Sequence, residues 1–247
     1  MRLTNDSASR FPQSWQLPIS FVKGAISILP LSISVFAYGL PYGALANNTN
    51  HLTLFETVFM SFFVFSGAGQ FSLLAFLQQS ASISTILLSM FLINSRHILY
   101  GLSIGKDLKN VSISQLVIPA HLISDESYSI SSLEGQKGKL DVLFLLGAGL
   151  VVFFSWILAS IVGFYVGEWV GDPKQVGLDF AFTAAFLGML IAQLKHRWHF
   201  LAAILALLLS SLTYHILGLS AAVFTGGIVA FLVGVFVKED TNTATSK

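Results

Sequence analysis

The chain has 247 residues, 54% of them hydrophobic and only 10% charged, with 22 Phe and no cysteine. A soluble domain carries about 25% charged residues, and a mean hydropathy of +0.76 leaves too little polar material for a water-facing surface, so soluble and disordered classes are excluded. The formal net charge of +1 supplies no basic stripe for nucleic acid. Without cysteine there is no disulfide, Fe–S cluster or thiolate zinc site.

Residues 1–23 are polar and lack a short apolar core followed by a small-residue cleavage site, so they read as a cytoplasmic N-terminal segment and not as a signal peptide. Arg2, Arg10 and Lys23 flank the first apolar segment, and the positive-inside rule places them in the cytoplasm. A membrane span needs ~20 apolar residues. Segments of that kind fall at about 24–46, 54–78, 83–104, 111–132, 140–167, 178–194, 199–217 and 219–237. Together they make a transmembrane domain over 24–237, followed by a short polar tail at 238–247. They lack the two-residue alternation of barrel strands, and lipid leaves helices as the way to satisfy every backbone group. The expected fold is all-α, a polytopic integral membrane helix bundle of about seven to eight hydrophobic segments, some broken or re-entrant.

Strict alternation from a cytoplasmic N-terminus puts EGQKGK, KHRWH and the KED tail inside and EWVGDPKQ outside, in agreement with the charge rule. It sends the two lysines of GKDLKN outside. Either 54–78 re-enters without crossing, or this loop is a weak violation. The last two segments are divided by Gly218 alone, which gives either two crossings with a tight turn or one long broken element.

The first segment contains YGLPYGALA, with Gly39, Pro41, Tyr42 and Gly43. Pro41 has no amide hydrogen, so a kink or unwound turn is expected there. Such breaks offer backbone dipoles to a substrate in transporters; the alternative is that the glycines serve close helix packing. The second segment carries FSGAGQF, in which Gly67 and Gly69 precede Gln70, an amide that needs partners in hydrocarbon. It reads as a second broken element or as another packing patch.

In INSRHILYG, Asn94 and His97 share one helical face and Arg96 and Tyr100 a neighbouring one. Arg96 is the only formal charge between Ile83 and Gly105, and an ionised group at mid-bilayer costs ~2.5–3.5 kcal/mol on insertion scales. Snorkelling over ~13 Å of helix to the segment end is the alternative to an internal cavity. In HLISDES, His121 and Asp125 are four apart and expected to stack on one helical face, with Glu126 about a hundred degrees round. The working expectation is an Arg96–Asp125 or Arg96–Glu126 ion pair with His121 beside a proton pathway; a solvated surface segment is the alternative. Asp179 either caps the sixth segment or adds an acid to the cavity.

Enzyme chemistry lacks a motif: there is no G-x-S-G and no H-E-x-x-H. His121, Asp125 and Glu126 on one helix make only a weak signal for a divalent ion. No catalytic residue, resident metal or cofactor is expected.

Taken in order, P-x-YG, FSGAGQF, NSRHILYG, HLISDESYS and GLDFAFTAAFLGML resemble the AzlC family, the large subunits of bacterial branched-chain amino acid exporters, similar also to the YgaZ and BrnF proteins. The resemblance spans about residues 20–238, and NSRHILYG followed by HLISDES is its specific part. It implies a multi-pass protein of the bacterial inner membrane that exports valine, leucine, isoleucine and methionine. It also implies proton-motive force as the driving force and a small AzlD-type membrane subunit as partner. The positions matching the family pattern are Gly39, Pro41, Tyr42, Gly43, Gly67, Gly69, Gln70, Asn94, Arg96, His97, His121, Asp125 and Glu126.

Overall fold

The computed structural model describes residues 13–48, 52–109, 111–169 and 196–236, with scattered positions between 180 and 194. Asp179, Lys195 and most of the 178–194 segment lie outside the described residues. Every regular element among the described residues is helical: α1 (Gln13–Asn48), α2 (Leu54–Phe63), α3 (Gly67–Gln78), α4 (Ile83–Asn94) and α5 (Arg96–Gly105). After the 3-10 turn Lys106–Leu108 come α6 (Ile113–His121), α7 (Asp125–Gln136), α8 (Val142–Trp169), α9 (Arg197–Leu217) and α10 (Leu219–Phe236). Ile19–Asn48, Ile83–Leu108, Val142–Trp169 and Arg197–Leu217 are long and apolar enough to cross a bilayer. Large apolar side chains such as Ile33, Phe55 and Leu102 are more than two-thirds exposed, a surface suited to lipid. The described residues form two compact units, one from Met1–Ser80 and Asn94–Phe182, the other from Ala81–Ile93 and Thr183–Lys247.

The first unit is built on α1 and α8, which run side by side in the same direction. Gly24 of α1 lies against the Phe144 backbone and Gly43 against that of Ser160, while Gly147 and Gly163 of α8 lie against Phe21 and Leu40. A Cβ at any of the four would strike the facing backbone, so the contact is of the small-residue type that lets helix backbones approach closely. Of the kink or unwound turn expected near Pro41, the unwound turn does not form. α1 continues through Pro41, and Gly39, where a Cβ would lie 2.7 Å from that of Ala159, serves packing against α8. The helix also begins at Gln13, upstream of the expected start of the membrane segment.

Two other apolar segments are broken in the same way. Residues 54–78 divide into α2 and α3 around Val64–Phe65–Ser66, where Phe65 takes φ +41 and Ser66 caps α3 by accepting from the Gly69 amide at 3.2 Å. Residues 111–132 divide into α6 and α7 around Leu122–Ile123–Ser124, and Ser124 accepts from the Ser127 amide at 3.2 Å. Each first half opens on a capping pair, Thr53 with Glu56 and Ser112 with Gln115. Each second half has 12 residues and ends in glutamine. Both first halves pack on α8, α3 packs on α1, and α7 packs on both α1 and α8.

The two broken segments are re-entrant hairpins that enter from opposite ends. α2 starts beside Ala46, descends past Thr57 against Tyr42 and Ser61 against Ser160, and α3 doubles back so that Gln70 reaches Ser61. α6 starts at the other end, and α7 returns there, placing Glu134 beside Lys23 and Gly135 beside Asp107. The tips meet where His121 Nε2 donates to the Phe62 carbonyl at 2.9 Å. Residues 54–78 and 111–132 therefore each fold back on themselves, the geometry that the re-entrant reading of 54–78 requires. It also follows that His121 and Asp125 do not stack on one helical face. α6 ends at His121, and the reciprocal Ser124–Ser127 cap starts a new helix between them.

In the second unit, α9 and α10 pack on each other around Gly218, whose φ of +83 suits glycine. Ser210 meets Gly226, equally far from Gly218 in sequence, so the pair is an antiparallel hairpin of two helices and not one broken element.

Candidate functional site

Arg96 opens α5 because the 83–105 stretch is interrupted at Ser95, and Asp125 opens α7 because Ser124 caps it. Arg96 Nη1 donates to Asp125 Oδ2 at 2.6 Å, and the Tyr100 hydroxyl donates to Asp125 Oδ1 at 2.6 Å. One carboxylate thus receives both groups of the Arg96/Tyr100 face. The Tyr100 ring stacks on Tyr128 at 4.1 Å, and Tyr128 donates to Ser103 at 3.1 Å, continuing the α5–α7 seam. His97 Nδ1 donates to the Asn94 carbonyl at 3.1 Å and sets its ring against Tyr100.

The pair is partly solvated, with 24% of the Arg96 side chain and 36% of that of Asp125 exposed. Arg96 Nε is buried without a hydrogen-bond partner, a donor left over at the site. Glu126 follows in the first turn of α7 and is absent from the ion pairs of the described residues. Both acids suit the positive end of that helix.

Asn94, two residues before Arg96, touches the other hairpin. A Cβ at Gly69 would lie 3.2 Å from Asn94 Nδ2, and Gly67 sits against the Tyr38 hydroxyl. The α3 N-terminus therefore borders Asn94 and the α7 N-terminus carries Asp125, each a positive dipole end. Tyr38 was not singled out from the sequence, although it heads the YGLPYG run. It lies one turn from Tyr42, and both rings face Trp156, at 4.9 and 5.6 Å.

Other candidates lie elsewhere. Gln70 is fully buried: its Nε2 donates to Ser61 at 3.0 Å and its Oε1 accepts from Trp156 at 2.9 Å. Ser61 continues to Ser160 at 2.8 Å. This network fixes α2 and α3 to α8. Tyr42 is buried in the same junction, its hydroxyl donating to the Thr57 carbonyl at 3.3 Å. His121 bridges the hairpin tips and faces Phe65 and Phe153. Because the break separates it from Asp125, the three-ligand arrangement on one helix does not exist.

Opposed re-entrant hairpins inside an apolar bundle, with an ion pair where their second halves begin, define a polytopic helical membrane protein with an internal polar site. The AzlC protein family model matches residues 30–170, and the chain belongs to the AzlC family. All the candidate positions except Asp179 fall within that stretch. An uncharacterized membrane protein of Archaeoglobus fulgidus is 30% identical over 87% of this chain and 92% of its own length. The inner membrane protein YgaZ of Escherichia coli is 25% identical, covering 75% of this chain and 78% of its own. The branched-chain amino acid transport protein AzlC of Bacillus subtilis is 27% identical, covering 71% and 70%. No solved structure matches the chain.

Proposed function

We propose that this chain is the large subunit of an exporter of branched-chain amino acids, Val, Leu and Ile with Met as a further candidate. It works across the bacterial inner membrane by alternating access, is driven by the proton gradient and requires a small AzlD-type membrane partner. The observation that carries this reading is the Arg96–Asp125–Tyr100 cluster at the start of α5 and α7. A zwitterion needs one cationic and one anionic contact close together. Its α-carboxylate meets Arg96 and the amides opening α3; its α-ammonium meets Asp125 and Glu126; its aliphatic part lies among Tyr and Phe rings. The α3 N-terminus replaces the Gly39–Gly43 region in this role because α1 has no free amides there. Proton uptake at Asp125, Glu126 or His121 weakens the ion pair and biases the return. The Bacillus subtilis relative, a branched-chain amino acid transport protein, supports the substrate class.

The test is intracellular leucine retention after loading with a leucine-containing dipeptide, in cells expressing the chain with and without an AzlD-type partner. Faster, uncoupler-sensitive loss with both chains, abolished by Arg96→Ala or Asp125→Asn, is the expected result. Loss that ignores the uncoupler points to a passive channel. Unchanged loss with both chains in the membrane points to another solute.

A further inference from the structure

The two hairpins are alike in outline but are held in opposite ways. The α2–α3 hairpin buries Phe71, Leu74 and Phe76 and locks its one buried amide into the Gln70–Ser61–Trp156 network. In α7 the fully buried residues are Ser127, Ser131 and Glu134. These recur at helical spacing and form one face, and the contact of Glu134 with Lys23 shows that this face is turned to α1. Ser131 Oγ is buried there without a hydrogen-bond partner. On the two flanks of this face Tyr128 and Ile130 pack on the apolar cluster of Ile104, Leu108, Leu140, Phe144 and Leu145.

A helix face of two serines and a carboxylate gains almost nothing from burial, and its unpaired hydroxyl opposes it. What closes the seam is electrostatic. Lys23 of α1 pairs with Glu134, Lys137 reaches the same carboxylate at 3.5 Å, and Ser20 of α1 bonds Asp141 beside them. Burial by itself would push the Glu134 carboxyl up, but the hydrogen bonds and charges of Lys23 and Lys137 hold it below the ordinary carboxylate range. The latch is therefore ionised at neutral pH. The close α1–α8 contact cannot loosen without losing backbone packing, so α7 is the part able to move against it.

We propose that the α6–α7 hairpin is the moving gate of the Arg96–Asp125 site, that it opens along the Ser127–Ser131–Glu134 seam, and that Lys23–Glu134 is its latch. The α2–α3 hairpin is the fixed counterpart. Opening moves α7 away from α1 and brings Ser131 into water, on a path from the Lys23 end to Asp125. The gate rests on the site assigned above but not on the identity of the solute.

The test uses the cysteine-free chain. A single cysteine, Ser131→Cys, is reacted with N-ethylmaleimide in membranes; the reagent crosses the bilayer, so the sidedness of the protein does not matter. Labelling is expected to be slow with the latch intact and about tenfold or more faster with Lys23→Met or Glu134→Gln, the factor equivalent to ~1.4 kcal/mol on the opening equilibrium. The charge swap Lys23→Glu/Glu134→Lys is expected to return it to the slow rate. Val152→Cys, buried on α8 away from the seam, reports unfolding and should stay unlabelled in every background. Equal slow labelling in all latch variants overturns the proposal, as does labelling of Val152→Cys in step with Ser131→Cys. Neither outcome depends on leucine export, so a failure of the gate is distinguishable from a failure of the substrate assignment.

Discussion

Asp125 receives two hydrogen bonds of the same length, and the two donors are not equivalent. Arg96 brings a charge as well as a hydrogen bond; Tyr100 brings a neutral hydroxyl to a charged acceptor, worth ~1.5–3 kcal/mol. Tyr100→Phe is therefore expected to slow leucine export by about ten- to a hundredfold, whereas Asp125→Asn, which leaves the guanidinium uncompensated, takes it to background. Initial export rates at matched membrane levels check the ordering; a Tyr100→Phe loss equal to that of Asp125→Asn would remove the charge pair from its central place. Arg96 was legible in the sequence because a lone charge in an apolar run is costly wherever it lies. Its choice between Asp125 and Glu126 was not, since the helical face argument assumed a continuous helix across 121–126. Nor could any local pattern assign Gln70, whose Trp156 partner lies 86 residues away.

At the scale of elements, the glycines divide into those that hold helices together and those that do not. Gly43 of α1 faces the Ser160 backbone, while a Cβ at Gly101 of α5 would meet nothing within 4 Å. Gly43→Ala forces α1 off α8 and is expected to cost ~1–3 kcal/mol. Gly101→Ala relieves backbone entropy and is expected to gain ~0.5–1 kcal/mol. Thermal denaturation in detergent followed by size exclusion reads both, and a Gly43→Ala protein as stable as the parent contradicts the close α1–α8 contact. The sequence marked the extents of the apolar segments and hinted at the first break through its glycines. It concealed the second, where no glycine stands. The available signal was Ser124 directly before two acids, the pattern of a helix start. That α1 runs intact through Pro41 depends on the neighbouring α8 and has no local signature.

For the molecule as a whole, the hairpins change the membrane topology without changing where the first unit begins and ends. α2 has 10 residues, α3 12, α6 9 and α7 12, so each rises only ~14–18 Å against ~30 Å of hydrocarbon. Each pair goes in and returns. Strict alternation put GKDLKN outside against the charge rule and QQSAS inside. With two re-entrant hairpins the assignments exchange: Lys106 joins Lys23 and EGQKGK in the cytoplasm, while Gln79 faces outside with Asn48. The charge exception then disappears. Single cysteines at Gln79, Lys106 and Lys139, treated with a membrane-impermeant maleimide, separate the two arrangements. Gln79→Cys is expected to label in intact cells, and Lys106→Cys and Lys139→Cys only after permeabilisation. The reverse pattern at Gln79 and Lys106, with Lys139 unchanged, would mean that both segments cross. The hairpin tips could not then meet at His121 and Phe62, and the polar site would lose the second helix N-terminus on which zwitterion recognition rests.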